Sequence, residues 1–259
     1  MQNKTEEKKS STATVLADDG FYFGIGAFET IAVEDGVPQL LEWHLERLRK
    51  SLAFFGIDQN VKEQEVLTYL NICPQSEEKQ HGAFKITVTA ENKLFGLRKN
   101  TYTKEQYQKG FRLGISEIRR NETSPITYHK TLGIADNIME KRNARKSGLD
   151  EKIFLNQKGQ ISEGCTTNIF FIQGNRLVTP PVSSGMLPGV MRRYIIEEAG
   201  RRGVLLEEKE LYPEETDQFD GCFVTNSLLG VMPAASFEEQ KFDTAKVLRF
   251  MEKFHYKLQ

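Results

Sequence analysis

Cysteine is scarce in this 259-residue chain: Cys73, Cys165 and Cys222 are the three, and they lie far apart. There is no Cys-x-x-Cys pair, and the four histidines (His44, His81, His129, His255) do not fall at metal-ligand spacing with them. A disulfide scaffold is therefore excluded, no metal site is expected, and a reducing, cytoplasmic setting fits best. Long apolar runs are also missing. Nothing approaches the roughly 18 residues of a membrane span, and the polar Met1–Ser11 segment has no apolar signal-peptide core. Neither sign of charge prevails, with 35 basic against 36 acidic side chains and a net charge of −1. That balance leaves no electrostatic footprint for nucleic acid or an anionic membrane, so neither is expected as a partner.

What is present is an ordinary globular composition, 39% hydrophobic and 27% charged. At about 150 residues per domain, the length predicts one or two domains. Residues 1–12 read as a polar, frayed start. The Gly-rich stretch GFYFGIGAFETIAV alternates and predicts strands, with Gly24 and Gly26 permitting a tight turn. Leu41, Leu45, Leu48, Leu52 and Phe55 recur at helical spacing, predicting an amphipathic helix within Val37–Ile57 that stops at Gly56. A second helix is expected over 60–72, and strands over Ala83–Thr89 and Phe111–Ile118. Periodicity fails over 119–128, where polar residues and Pro125 predict an exposed linker. The expected division is an N-terminal α+β domain (1–119), a linker (120–128) and a C-terminal α+β domain (129–259). In the latter, helices are expected at Gly133–Lys146, Gly189–Arg202 and Asp243–Tyr256. Strands are expected at Lys152–Asn156, Thr167–Ile172, Val204–Leu211 and Gly221–Thr225. Strands joined by short turns with few helices favour α+β over a regular βαβ array.

Several residues can carry chemistry, each with a plainer alternative. Lys130, in TYHKTLG, reads as a lysine able to form an imine with a carbonyl, or as a surface lysine. Glu163, between two apolar segments in GQISEGCTTNIFF, reads as the anionic partner of a buried cation, or as an exposed turn residue. In SGMLPGVMRRYII, glycine leads into a helix start whose free N–H groups suit a phosphate, or simply begin a helix. Arg47, in HLERL, is a planar fork for phosphate or part of a solvated face. Asn226 and Ser227, in TNSLLGVMP, offer short polar groups to an anion, or cap a turn. GIGAFET lacks the full Gly-x-Gly-x-x-Gly pattern and is weak as a nucleotide loop.

In order along the chain stand GxGxFET, HLxRL, an isolated Lys, ISEGxxxNIF, LPGxxR and NSLxxVMP. This series, spanning roughly residues 18–235, resembles the fold-type IV pyridoxal-phosphate enzymes. That family holds branched-chain aminotransferases, D-amino-acid aminotransferases and 4-amino-4-deoxychorismate lyases. The resemblance implies two α+β domains with pyridoxal 5′-phosphate between them, a small-molecule substrate and a homodimer. It implies that Lys130 is the Schiff-base lysine and that Glu163 holds the pyridine nitrogen protonated. Arg47 would bind the cofactor phosphate with the amides of Val190 and Met191 after Gly189. Leu187 would pack against the ring, and Asn226 and Ser227 would complete the phosphate cup. Lys85, in AFKITV, matches a basic position near the substrate, or is an edge-strand lysine.

Three features point to the lyase branch. Thr30 matches a position where the lyases carry a threonine that helps move protons, and it also suits a strand. Ala135 stands where the transaminases place a tyrosine five residues after the lysine. NSLLGVMP has the lyase form of the last motif. Against these, LPG is nearer the transaminase form, Ile25 replaces an acidic loop residue, and TAENKLFG lacks the usual Arg-Gly turn. The expected activity is aminodeoxychorismate lyase, releasing pyruvate to leave 4-aminobenzoate, with a branched-chain or D-amino-acid aminotransferase as the alternative.

Overall fold

The computed structural model describes residues 14–252 and Phe254. The frayed start expected at 1–12, His255 and the end of the last expected helix lie outside the described residues. Two sheets organise the rest. The smaller has the order β2-β1-β3-β4. Its strands are β1 (Ala27–Glu34), β2 (Val37–Pro38), β3 (His81–Val88) and β4 (Lys93–Lys99). Every pair in it is antiparallel.

Helix α1 (Asp19–Phe23) precedes β1, where the alternation had predicted a strand. Asp18 accepts from the N–H groups of Gly20 and Phe21, and Gly24 ends the helix at φ +72°. That capping outweighs the strand preference of its aromatic residues. Helices α2 (Leu41–Phe54) and α3 (Glu63–Ile72) cover one face of the sheet. Leu41, Leu45, Leu48 and Leu52 pack there on Ala27, Ile31, Val33 and Phe84. Helix α2 falls within its expected span and starts at Leu41, the first of its periodic leucines. Asp35 and Gly36 turn at positive φ, so that Val37 and Pro38 pair back onto β1.

The larger sheet has nine strands, in the order β10-β9-β8-β11-β12-β5-β6-β7 with β13 on β12. They are β5 (Phe111–Arg120), β6 (Glu151–Asn156), β7 (Ile161–Gly164), β8 (Asn168–Gln173), β9 (Arg176–Thr179), β10 (Leu205–Glu208), β11 (Gly221–Asn226), β12 (Gly230–Phe237) and β13 (Gln240–Lys241). Alternate residues of β8 and β11 serve two cores, which is why their sequences are apolar throughout. Ile169, Phe171, Cys222 and Val224 face a core shared with β5–β7. Phe170, Ile172 and Phe223 face α7 (Val190–Arg201) and α8 (Thr244–Glu252).

Strand β5 joins the larger sheet. It pairs in parallel with β12 and β6, so sheet membership changes between Lys99 and Phe111, upstream of the 120–128 linker. The cause is packing: Phe111 and Leu113 enter the core of the larger sheet. β5 also runs on to Arg120, leaving 121–124 and a 3-10 turn at Pro125–Tyr128 before the lysine. Strand β4, helix α4 (Glu77–Gln80), helix α5 (Lys104–Lys109) and strand β12 were not anticipated. Helix α6 (Ala135–Lys146) falls within its expected span. Among the described residues, all three cysteines are free, and no helix is long and apolar enough to cross a membrane.

Candidate active site

Strand β1 is the hinge of the site because its two faces have different partners. Ala27, Ile31 and Val33 point at α2 and α3, while Phe28 and Thr30 line a cavity of about 460 Å³ between the two sheets. The segment carrying Lys130 is stitched to β1. Phe28 N–H donates to Lys130 O at 3.0 Å, Leu132 N–H to Gly26 O at 3.1 Å, and Ala27 bridges Thr131. Lys130 N–H also donates to Ser51 Oγ on α2 at 3.1 Å. The Lys130 Nζ is thereby held 4.5 Å from the centre of the Phe28 ring. Burial, and then repulsion from Arg47, lowers its pKa to about 8, with Glu29 and Glu163 opposing. An amine near that value has a usable neutral fraction at neutral pH.

Glu163 ends up facing the same cavity from β7. Its Oε1 pairs with Arg120 Nη2 at 2.9 Å, and its Oε2 accepts from Leu187 N–H at 3.1 Å. Burial drives the carboxyl up to about 7, against the pull of Arg120, the Leu187 amide and Lys130. Arg120 was missed by the sequence reading. It comes from the end of β5, and its guanidinium lies 4.1 Å above the Phe154 ring.

Gly189 caps the N-terminus of α7, so the first-turn amides of Val190 and Met191 have no partner within the helix. All three residues line the cavity, as does Leu187. A Cβ at Gly189 would collide with Asn168 Oδ1, so the close packing of this backbone on Asn168 requires glycine.

Arg47 reaches the cavity from α2, but Glu29 already holds it. Nε donates to Glu29 Oε1 at 2.8 Å and Nη2 to Oε2 at 2.7 Å, while Nη1 donates to Pro188 O at 3.3 Å. Two of its five N–H groups are left for a ligand. Glu29 is fully buried, and His44 Nδ1 lies 2.6 Å from its Oε2. Burial raises the Glu29 carboxyl, but Arg47 and His44 prevail and hold it down at about 2. Neither Glu29 nor His44 was singled out from the sequence. The available signal was an acidic residue on the core-facing register of β1, opposite a helix carrying His and Arg three apart.

Asn226 and Ser227, both expected as phosphate ligands, border the cavity with different side-chain partners. The Asn226 Oδ1 accepts from Leu228 and Leu229 N–H, both at 2.9 Å, and its Nδ2 donates to Thr166 O at 3.1 Å. Its side chain therefore caps the turn between β11 and β12. The Ser227 hydroxyl contacts His44 Nε2 at 3.1 Å and borders the cavity. Lys85 lines the cavity from β3, paired in register with Thr30, and its Nζ sits 4.9 Å from the Phe28 ring centre. Arg98 joins it from the neighbouring strand β4. Ala135 opens α6 as an exposed residue.

A family model described as amino-transferase class IV matches residues 26–237. The chain is 29% identical to the aminodeoxychorismate lyase of Bacillus subtilis, over 87% of this chain and 82% of that one. It is 26% identical to the D-alanine aminotransferase of Bacillus licheniformis, over 90% of this chain and 86% of that one. The crystal structure of 4-amino-4-deoxychorismate lyase from Pseudomonas aeruginosa superposes with a TM-score of 0.82 at 25% identity, covering 93% of this chain and 96% of that one. That of a branched-chain aminotransferase from Thermoproteus uzoniensis gives 0.79 at 23% identity, covering 96% and 92%.

Enzymes of this family use pyridoxal 5′-phosphate, and the donor set of the cavity suits that cofactor. The lining offers an amine of lowered pKa, a buried carboxyl, and a helix N-terminus beside an arginine fork, groups whose chemistry fits an aldehyde, a ring nitrogen and a phosphate. With its α+β architecture and its match over most of its length, the chain belongs to the class IV aminotransferase family of fold-type IV pyridoxal-phosphate enzymes.

Proposed function

We propose that the protein is a 4-amino-4-deoxychorismate lyase, which eliminates pyruvate from its substrate to give 4-aminobenzoate. The observation that carries this reading is the charge lining of the cavity. Lys85, Arg98 and Arg145 line it with no carboxylate partner among the described residues, and Glu163 is the one acidic side chain of the lining. Such a site suits a substrate with two carboxylates better than a simple amino acid with one. Thr30 supports the same branch, since its hydroxyl-bearing side chain borders the cavity on the same face of β1 as Phe28.

Bound pyridoxal phosphate supplies an electron sink, and the surrounding residues manage protons and position. Lys130 takes the proton from the amine-bearing carbon of the substrate. Glu163, pinned by Arg120 and the Leu187 amide, holds a proton at the pyridine nitrogen. Arg47 and the amides of Val190 and Met191 anchor the phosphate, and Leu187 packs against the ring. Lys85 and Arg98 hold the substrate carboxylates. Thr30 delivers a proton as pyruvate leaves. Aromatisation of the product makes elimination strongly downhill, so the protein contributes chiefly positioning and charge stabilisation.

A branched-chain or D-amino-acid aminotransferase is the second reading. The matched D-alanine aminotransferase, spanning 90% of this chain, favours it. The proposal includes a cytoplasmic homodimer, for which the exposed Phe21, Tyr22 and Phe23 of α1 offer an apolar face. The deciding experiment supplies purified protein with pyridoxal phosphate and aminodeoxychorismate, and follows both products. Equimolar pyruvate and 4-aminobenzoate would support the lyase. Amino transfer from D-alanine or leucine to a keto acid, without aminobenzoate, would replace it with the aminotransferase.

A further inference from the structure

The chain Glu29–His44–Ser227 leads from the buried core to the cavity wall, and its proton count is constrained. Glu29 is an ionised carboxylate, so it only accepts, and the hydrogen of the 2.6 Å Nδ1···Oε2 contact must sit on His44 Nδ1. Burial lowers the pKa of His44 below the ordinary imidazole range, against the attraction of Glu29, so the ring is neutral near pH 7. Its Nε2 is then a lone pair, and the Ser227 hydroxyl at 3.1 Å must donate to it. A hydroxyl has one hydrogen. In this state Ser227 shows only lone pairs to the cavity, the wrong face for an anion.

We infer that seating the cofactor phosphate against Ser227 draws one proton from solvent onto His44 Nε2, which frees the Ser227 hydroxyl to donate to the phosphate. Atoms balance: His44 Nε2 gains the solvent proton and donates to Ser227 Oγ, while the Ser227 hydrogen turns from His44 to the anion. His44 is thus a positioning residue that makes phosphate binding proton-linked. The groups facing His44 are consistent with this coupling. Glu29 on β1 favours the imidazolium, and Arg47 on α2 and Lys130 disfavour it. A phosphate dianion beside Arg47 and Lys130 offsets those two cations and shifts the balance toward His44 protonation. The inference rests on the cavity holding pyridoxal phosphate, as proposed above.

The test uses the full chain with ring-15N-labelled histidine and pyridoxamine 5′-phosphate, which binds without condensing with Lys130. Phosphorus-31 spectra report whether the phosphate is bound, and nitrogen-15 shifts report protonation at each ring nitrogen of His44. At pH 7.5, His44 is expected to carry hydrogen on Nδ1 alone before loading and on both nitrogens after it. In Ser227→Ala, His44 is expected to stay neutral on loading, with affinity reduced about tenfold. Bound phosphate with His44 still neutral in the unsubstituted protein would overturn the inference and leave the cofactor reading intact. Equal protonation in Ser227→Ala would overturn the relay through the hydroxyl. Absence of any bound phosphate signal at millimolar ligand would overturn the cofactor reading and this inference together.

Discussion

Replacing Glu29 by glutamine probes the support beneath the site without touching the cavity wall. Glu29 is fully buried and accepts two hydrogen bonds from Arg47 and one from His44. Its carboxyl falls from an ordinary 4.5 to about 2. At about 1.4 kcal/mol per tenfold change in proton affinity, that is worth about 3 kcal/mol at neutral pH. The sign is that of a depressed acid. The stabilisation is complete above the unfolded value near 4.5 and is lost as pH falls through about 2. Glu29→Gln forfeits this stabilisation because it leaves the Arg47 cation without its buried counter-charge. The expected result is destabilisation by about 3 kcal/mol at pH 7, measured by urea unfolding, with the midpoint of thermal unfolding down by about 6–12 °C. The gap between the two proteins should shrink steadily between pH 4.5 and the acid limit. A variant within about 0.5 kcal/mol of the parent at pH 7, or a gap indifferent to acid, would refute the assignment of Glu29 as the ionised anchor of Arg47.

Lys130→Ala should lose turnover and all covalent cofactor, read by borohydride trapping and mass spectrometry; retained turnover would remove Lys130 from the site. In the unsubstituted protein, the rate of covalent attachment of added pyridoxal phosphate should rise with pH through about 8, as the Lys130 amine loses its proton. Glu163→Gln should keep the phosphate bound, as seen by phosphorus-31 spectra, while kcat falls by at least about 10²-fold. Lys85→Ala and Arg98→Ala should each raise KM for aminodeoxychorismate by about tenfold or more, as expected for a lost hydrogen bond to charge. Comparable kcat and KM for an amino acid with one carboxylate would locate the effect in the substrate carboxylates.

The legibility of this protein varied with the range of the interaction involved. Helices α2 and α7 and strand β3 were readable because their apolar spacing reflects a single packed face, and β8 because its continuous apolar run is buried on both faces. Helix α1 was not, because the Asp18 cap and the Gly24 stop prevailed over a run of aromatic residues that favours strands. Strand β5 was readable as a strand, but the sheet it joins was not. Alternation says that one face is buried, but nothing local says against which sheet. Asn226 shows the same limit on a smaller scale. Anion binding and turn capping draw on the same short amide, and only the positions of Leu228, Leu229 and Thr166 reveal that the side chain caps the turn.

From sequence alone came the cofactor family, and with it the expectation of a reactive lysine at Lys130 and an acidic partner at Glu163, because reactive groups must be of particular types and follow a fixed order along the chain. Tertiary structure decided how those groups are tuned. Burial of Lys130 and Glu163 in one cavity brings their pKa values to about 8 and about 7. The partners that modulate them, Arg47, Glu29 and Arg120, arrive from other elements of the fold. Desolvation and charge pairing depend on distances in space that spacing along a chain does not encode.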